Sequence, residues 1–143
     1  MTIYEKLLDV QKLGLTFKKD TKAYNYKYVT LDSLWEKLQP ILSEHKILVT
    51  HAINDRMLTT SLIDTATESD PPITSTIQLP EGIDPQKLGS AITYFRRYNL
   101  LALLNLMTED DDDGDSAVKS SSKKPEANFL QKLKDGDEPD LPF

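Results

Sequence analysis

Apolar residues recur along this chain with two different periods. Ile3, Leu7, Val10 and Leu13 fall near helical spacing, which predicts a short amphipathic helix over 2–13 with Gly14 as its stop. A second helical stripe runs through Leu31, Leu34, Trp35, Leu38, Ile41 and Leu42. Thr30 can cap it, and Asp32 suits its positive N-terminus. Pro40 breaks into the stripe, but the apolar matches outweigh one breaker, so a helix is expected over 31–44. Asp84-Pro85 marks a third start, a cap followed by proline at the first helical position. That helix is expected to reach about Asn99, with Leu88, Ala91, Ile92 and Phe95 facing the core, and residues 100–106 add an apolar turn or two.

Between the helices the period is two. Tyr24, Tyr26 and Tyr28 alternate, which predicts a strand with all three rings on one face. Ile47, Val49, His51 and Ile53 predict a strand, Asn54-Asp55 a turn, and residues 57–64 the return strand of a hairpin. Glu68 to Pro72 reads as a loop, and Ile73, Ile77 and Leu79 mark a third strand over 73–79. The periodicity then ends. Glu109 to Asp115 is acidic, and Ser116 to Asn128 is rich in Ser and Lys with Pro125, the composition of a disordered linker. Phe129, Leu130 and Leu133 could form one transient turn. Three regions are expected: a folded domain over 1–108, a linker over 109–128 and a flexible tail over 129–143.

Charge sharpens this division. Basic and acidic side chains balance over 1–107, so the net charge of −6 is carried by residues 108–143. A neutral folded part can carry a local basic patch for an anionic partner. Cysteine is absent, which excludes disulfides and thiolate metal sites. Glu5, Lys6 and Asp9 rule out a signal peptide at the start, and the longest apolar run, Leu100 to Leu104, is too short for a bilayer. An intracellular soluble protein, without membrane contact, is expected.

Catalytic signatures are lacking. The scattered glycines make no phosphate loop, so no nucleotide cofactor is expected, and no serine sits in a nucleophile elbow. His45 and His51 lack the spacing of a zinc pair on one helical turn. Glu109, Asp111, Asp113 and Gly114 fit part of a calcium loop, but Ser120 stands where a bidentate Glu is required, so no metal site is assigned. Two basic and aromatic groupings remain. Lys18, Lys19, Lys22 and Lys27 interleave with Tyr24, Tyr26 and Tyr28. On the third helix, Lys87, Ser90, Tyr94 and Arg97 share one face, with Arg96 to the side near Gly89 and Thr93. Cations neutralise phosphates and tyrosines stack on bases, a pairing that suits single-stranded DNA without sequence preference. The wheel sets Arg96 and Arg97 off the core face, so replacing both by Ala is expected to weaken DNA binding and leave the fold intact.

The run Leu88-Gly89-Ser90-Ala91-Ile92-Thr93-Tyr94-Phe95-Arg96-Arg97-Tyr98, followed by Leu103-Leu104 and by Glu109 to Gly114, resembles the signature of the ERF family of phage single-strand annealing proteins. Tyr26-Lys27-Tyr28, Leu34-Trp35, Pro40-Ile41-Leu42 and Val49-Thr50 resemble its N-terminal half. Phe95 departs from the pattern, where a small residue is common, and Asn105 stands where glycine is common. The resemblance implies an α+β fold of the kind shared by annealing proteins, a short curved β-sheet packed on helices, which suits the hairpin plus third strand read from periodicity and leaves the disordered acidic tail outside the core. It implies ATP-independent binding and annealing of single strands in recombination, by protomers assembled in rings or filaments, beside host or phage recombination enzymes in the bacterial cytoplasm. It also implies that Arg96, Arg97 and the Lys/Tyr segment are the leading DNA contacts. Separately, Asp137, Glu138, Asp140, Leu141, Pro142 and Phe143 resemble the acidic tip of bacterial single-stranded-DNA-binding proteins, which docks repair enzymes. Two other functions fit the residues: a passive strand-binding protein that recruits enzymes through its tail, and a metal-dependent nuclease using the acidic run.

Overall fold

Each helix begins on a side chain that satisfies its free amides. The computed structural model describes residues 1–19, 21–23 and 26–108, with the backbone alone for 21–23, 26 and 27. Helix α1 (Ile3–Lys12) opens on a capping box. Thr2 Oγ1 accepts from the Glu5 amide at 3.2 Å, and Glu5 Oε2 accepts from the Thr2 amide at 2.7 Å. It ends at Gly14, whose φ of +62° is the left-handed conformation that glycine adopts without penalty. Helix α2 (Leu31–Glu44) starts on Thr30, which accepts from the Ser33 amide at 3.1 Å, and keeps Pro40 on an exposed position. Helix α3 (Pro85–Leu103) starts on Asp84, which accepts from the Lys87 amide at 2.9 Å.

Helix α3 runs unbroken past Asn99, where the sequence suggested an end. It closes at Asn105, with φ of 52°. The Leu106 amide donates to Leu101 O at 2.9 Å and the Asn105 amide to Ala102 O at 3.2 Å, the paired bonds of a Schellman motif. Glycine's commonness at this position has a direct cause here, since asparagine is the next best residue for left-handed backbone.

Strands β1 (Thr16–Phe17), β2 (Thr21–Ala23) and β3 (Tyr26–Tyr28) precede α2. Ala23 opposes Tyr26 and Thr21 opposes Tyr28, so this stretch is an antiparallel hairpin rather than one strand with three rings on a face. Strands β4 (Ile47–Asn54), β5 (Met57–Asp64) and β6 (Ile73–Gln78) form an antiparallel sheet in the order β4-β5-β6. Asp55 and Arg56, with φ of 50° and 60°, make the two-residue turn that matches strand twist in a tight hairpin. Strand β7 (Met107–Thr108) pairs with β1 in parallel, Thr16 opposite Met107. The fold is α+β, as expected: the three-stranded sheet packs on helices.

One core joins Ile3 and Val10 of α1, Leu34, Leu38 and Leu42 of α2, Leu62 of β5 and Leu100 of α3. A second joins Leu58 and Leu79 to Ala91, Tyr94 and Phe95. Across the first, Lys6 donates to Asp64 Oδ1 at 2.6 Å with both residues buried, tying α1 to the end of β5. The Lys6 hydrogen bond, and then the Ala66 amide, hold the Asp64 carboxyl below its ordinary range. A depressed carboxyl contributes stability that is present above its unfolded value and is lost as pH falls through the folded one. Asp64→Asn is therefore expected to flatten the acid limb of stability below about pH 4, measured by urea unfolding across a pH series.

Candidate nucleic-acid interface

Helix α3 carries most of the signature residues, and it has no single wet face. It packs on β5 and β6 to one side and on α2 to another. Tyr94 and Arg97, expected on the surface, are 1% and 3% exposed. Leu88 and Ile92, expected in the core, are only half-buried. A helix with neighbours on several sides buries a broad arc, which a two-sided wheel misassigns.

Arg97 organises this region. Its Nη1 donates to Val29 O at 3.2 Å. Its guanidinium carbon lies 4.9 Å from the Tyr28 ring centre, 5.3 Å from that of Tyr94 and 5.1 Å from that of Tyr98. Tyr94 meets Phe95 edge to face at 5.3 Å and Tyr98 at 4.6 Å. Ring faces carry negative potential, so three of them can hold a buried cation without a carboxylate. Among the described residues no carboxylate pairs with Arg97. Through Tyr28 and Val29, Arg97 fastens the C-terminal end of the β2–β3 hairpin to α3. Tyr28, Tyr94 and Arg97 are thus framework, and the expectation that they lie open to a strand is corrected.

The other expected contacts divide. Lys18 is exposed and Lys19 half-buried, just after β1. Lys22, Tyr26 and Lys27 lie on β2 and β3. Tyr24, the acidic run and the tip from Asp137 to Phe143 lie outside the described residues. Lys87 is half-buried in the first turn of α3, about three turns before Arg97. Arg96 is half-buried, and its Nε is enclosed without a hydrogen-bond partner.

Two features escaped the sequence reading. Lys37 of α2 donates to Thr16 O at 2.6 Å and sits 4.9 Å over the Phe17 ring, which adds a cation beside Lys18. The second is a polar row between sheet and helix. His51 Nδ1 bonds Thr60 Oγ1 at 2.8 Å, Asn99 Nδ2 donates to Thr60 Oγ1 at 3.1 Å, and Ser75 donates to Asn99 Oδ1 at 3.4 Å. The cross-strand register sets His51, Thr60 and Ser75 side by side. A histidine on the inward-facing phase of an otherwise apolar alternation was the available signal.

Among the described residues no group of three His, Asp or Glu gathers as a metal site, and no helix is long and apolar enough to cross a membrane. The ERF superfamily model matches residues 3–137. The chain belongs to the ERF superfamily. That family comprises phage-type recombination proteins that bind and anneal single-stranded DNA. No curated protein and no solved structure matches the chain. Within the ERF signature, the structure separates two adjacent arginines, Arg97 held by tyrosines and Arg96 half-buried and within electrostatic reach of His51.

Proposed function

We propose that this ERF-superfamily protein binds single-stranded DNA and anneals complementary strands without a nucleotide cofactor. The observation that carries the reading is the family match over residues 3–137. The division of the arginine pair supports it, since Arg97 fixes a lysine-bearing hairpin against the helix that presents Arg96. Arg96, Lys18, Lys19, Lys22, Lys27 and Lys87 are the proposed phosphate contacts, with Tyr24 and Tyr26 as stacking candidates. Residues 1–108 are the proposed binding unit. A small unit holds a long strand by repetition, so assembly of several copies belongs to the same proposal.

The deciding experiment mixes complementary oligonucleotides with the protein and no nucleotide. Annealing faster than in protein-free buffer is expected, and binding without faster annealing would favour passive strand coating. Affinity for single strands should fall with salt. With three or four phosphates neutralised per protomer, raising salt from about 50 to 200 mM should weaken binding about tenfold to fiftyfold. Arg96→Ala should lower that salt slope by about one contact and leave the melting transition in place.

The tip from Asp137 to Phe143 is proposed to dock a host or phage recombination or repair enzyme, with Phe143 in an apolar pocket rimmed by basic groups. Removing residues 137–143 should leave DNA affinity unchanged or slightly higher and abolish capture of a partner that recognises such tips. Calorimetry with the intact chain, the truncation and Phe143→Ala checks this, and unchanged partner affinity in the truncation would refute it.

A further inference from the structure

His51 of β4 is tied to α3 through Thr60 and Asn99, and Arg96 lies three residues before Asn99 on that helix, so two groups capable of positive charge come to one side of α3. Arg96 acts electrostatically on His51. Both are half-buried, and neither pairs with a carboxylate among the described residues. Buried donors are almost always bonded, yet Arg96 Nε is enclosed and unpartnered. Ile53, on the same face of β4 as His51, is 50% exposed, and β4 pairs with β5 alone among the described strands.

The ring of His51 is already oriented. Thr60 Oγ1 accepts from Asn99, which leaves the Thr60 hydroxyl proton free to donate to His51 Nδ1. In that tautomer the remaining N–H is on Nε2, on the far side of the ring from Thr60. We propose that Arg96 and His51 form one phosphodiester site, in which the guanidinium and the His51 Nε2–H grip a backbone phosphate of the single strand while Ile53 lies against the neighbouring sugar or base. This rests on the single-strand-binding reading and adds to it a residue outside the basic and aromatic groupings.

Such a site couples binding to a proton. Burial, and then the Arg96 charge, push His51 down to about 4 in the free protein. Among the described residues the charge acting on it is that of Arg96, and the charged side chains of α2, the helix packed on β4, are all exposed. Thr60 is its β5 neighbour, His51 is the only ionisable residue of β4, and Arg97 on α3 is occupied by the tyrosines and Val29. A phosphate between His51 and Arg96 would cancel the repulsion and favour imidazolium, so the complex takes up a proton that the free protein does not hold. If the phosphate restores the ordinary value of 6.5, affinity should be about tenfold stronger at pH 5.5 than at pH 7.5.

The test is the affinity of the full chain for an oligothymidylate from pH 5.5 to 7.5, for the native protein, His51→Gln and Arg96→Gln. His51 ring signals are followed by NMR in the native protein with and without the oligonucleotide. The native protein should show the tenfold gain and an upward shift of the His51 titration. His51→Gln should bind several-fold more weakly at pH 5.5 and lose the gain, and Arg96→Gln should abolish the shift. An oligonucleotide bound with the same pH profile by native protein and His51→Gln, or a His51 titration that the strand leaves in place, overturns this site and spares the DNA-binding reading. No binding at any pH overturns both.

Discussion

Arg97→Ala is expected to destabilise the folded domain by about 2–4 kcal/mol, a large share of the roughly 5–15 kcal/mol that holds a domain of this size. The variant loses a charge-assisted bond to Val29 O and the cation shared by Tyr28, Tyr94 and Tyr98. It also leaves a space beneath three rings, at a residue only 3% exposed. Part of this loss is offset, because alanine no longer requires a guanidinium to leave water. Arg97→Lys keeps the charge and not the planar fork, so it should restore only part of the stability. Urea unfolding of the three proteins measures this, and an unchanged midpoint for Arg97→Ala would show that the tyrosine box contributes nothing net. The neighbouring Arg96→Ala serves as the contrast, with DNA affinity reduced and the midpoint held.

Leu34→Ala should cost about 2–5 kcal/mol, comparable to or greater than the Arg97 change. Leu34 is fully enclosed in the first core, in one cluster with Leu38 and Leu42 of its own helix, Leu62 of β5 and Leu100 of α3. Removing its branched end forfeits transfer energy and opens a cavity between two helices and a sheet, which rigid neighbours on three sides cannot close. Leu8→Ala on α1 is the control. Leu8 is 51% exposed and alanine is the better helix former, so a change below about 1 kcal/mol is expected. Thermal melts of both variants decide it, and equal shifts would mean that Leu34 does not sit in the core.

The helices and the main hairpin were legible because their signals are local. Thr30 and Asp84 cap the helices that they were expected to cap, and the turn after Asn54 lies where the polar pair placed it. The errors share a different cause. Whether Tyr94 and Arg97 meet water depends on how many elements surround α3, and a helical wheel contains no such information. Flanking aromatics were the one hint, since Tyr94 and Tyr98 lie within a turn of Arg97. The tyrosine alternation from 24 to 28 looked like one strand because a reversal between Ala23 and Tyr26 leaves a period of two undisturbed. The two-residue strands β1 and β7 are too short to carry any period. Of the candidate site, the basic composition was readable; the His51–Thr60–Asn99 row was not, because it depends on sheet register and helix docking together.

The parallel pairing of β1 with β7 makes one further demand on the molecule. Thr16 and Met107 meet only after nearly the whole folded chain has been brought into place, for the sake of a two-residue ladder. The loop-closure entropy is large relative to that ladder, and no short local contact can nucleate it. This seam is therefore expected to form late in folding, with its amides exchanging with solvent hydrogen ahead of those of β5. Phe17 is buried in the first core and Lys37 holds Thr16 O, so when the seam parts β1 keeps its anchor on α2 and β7 is the side set free.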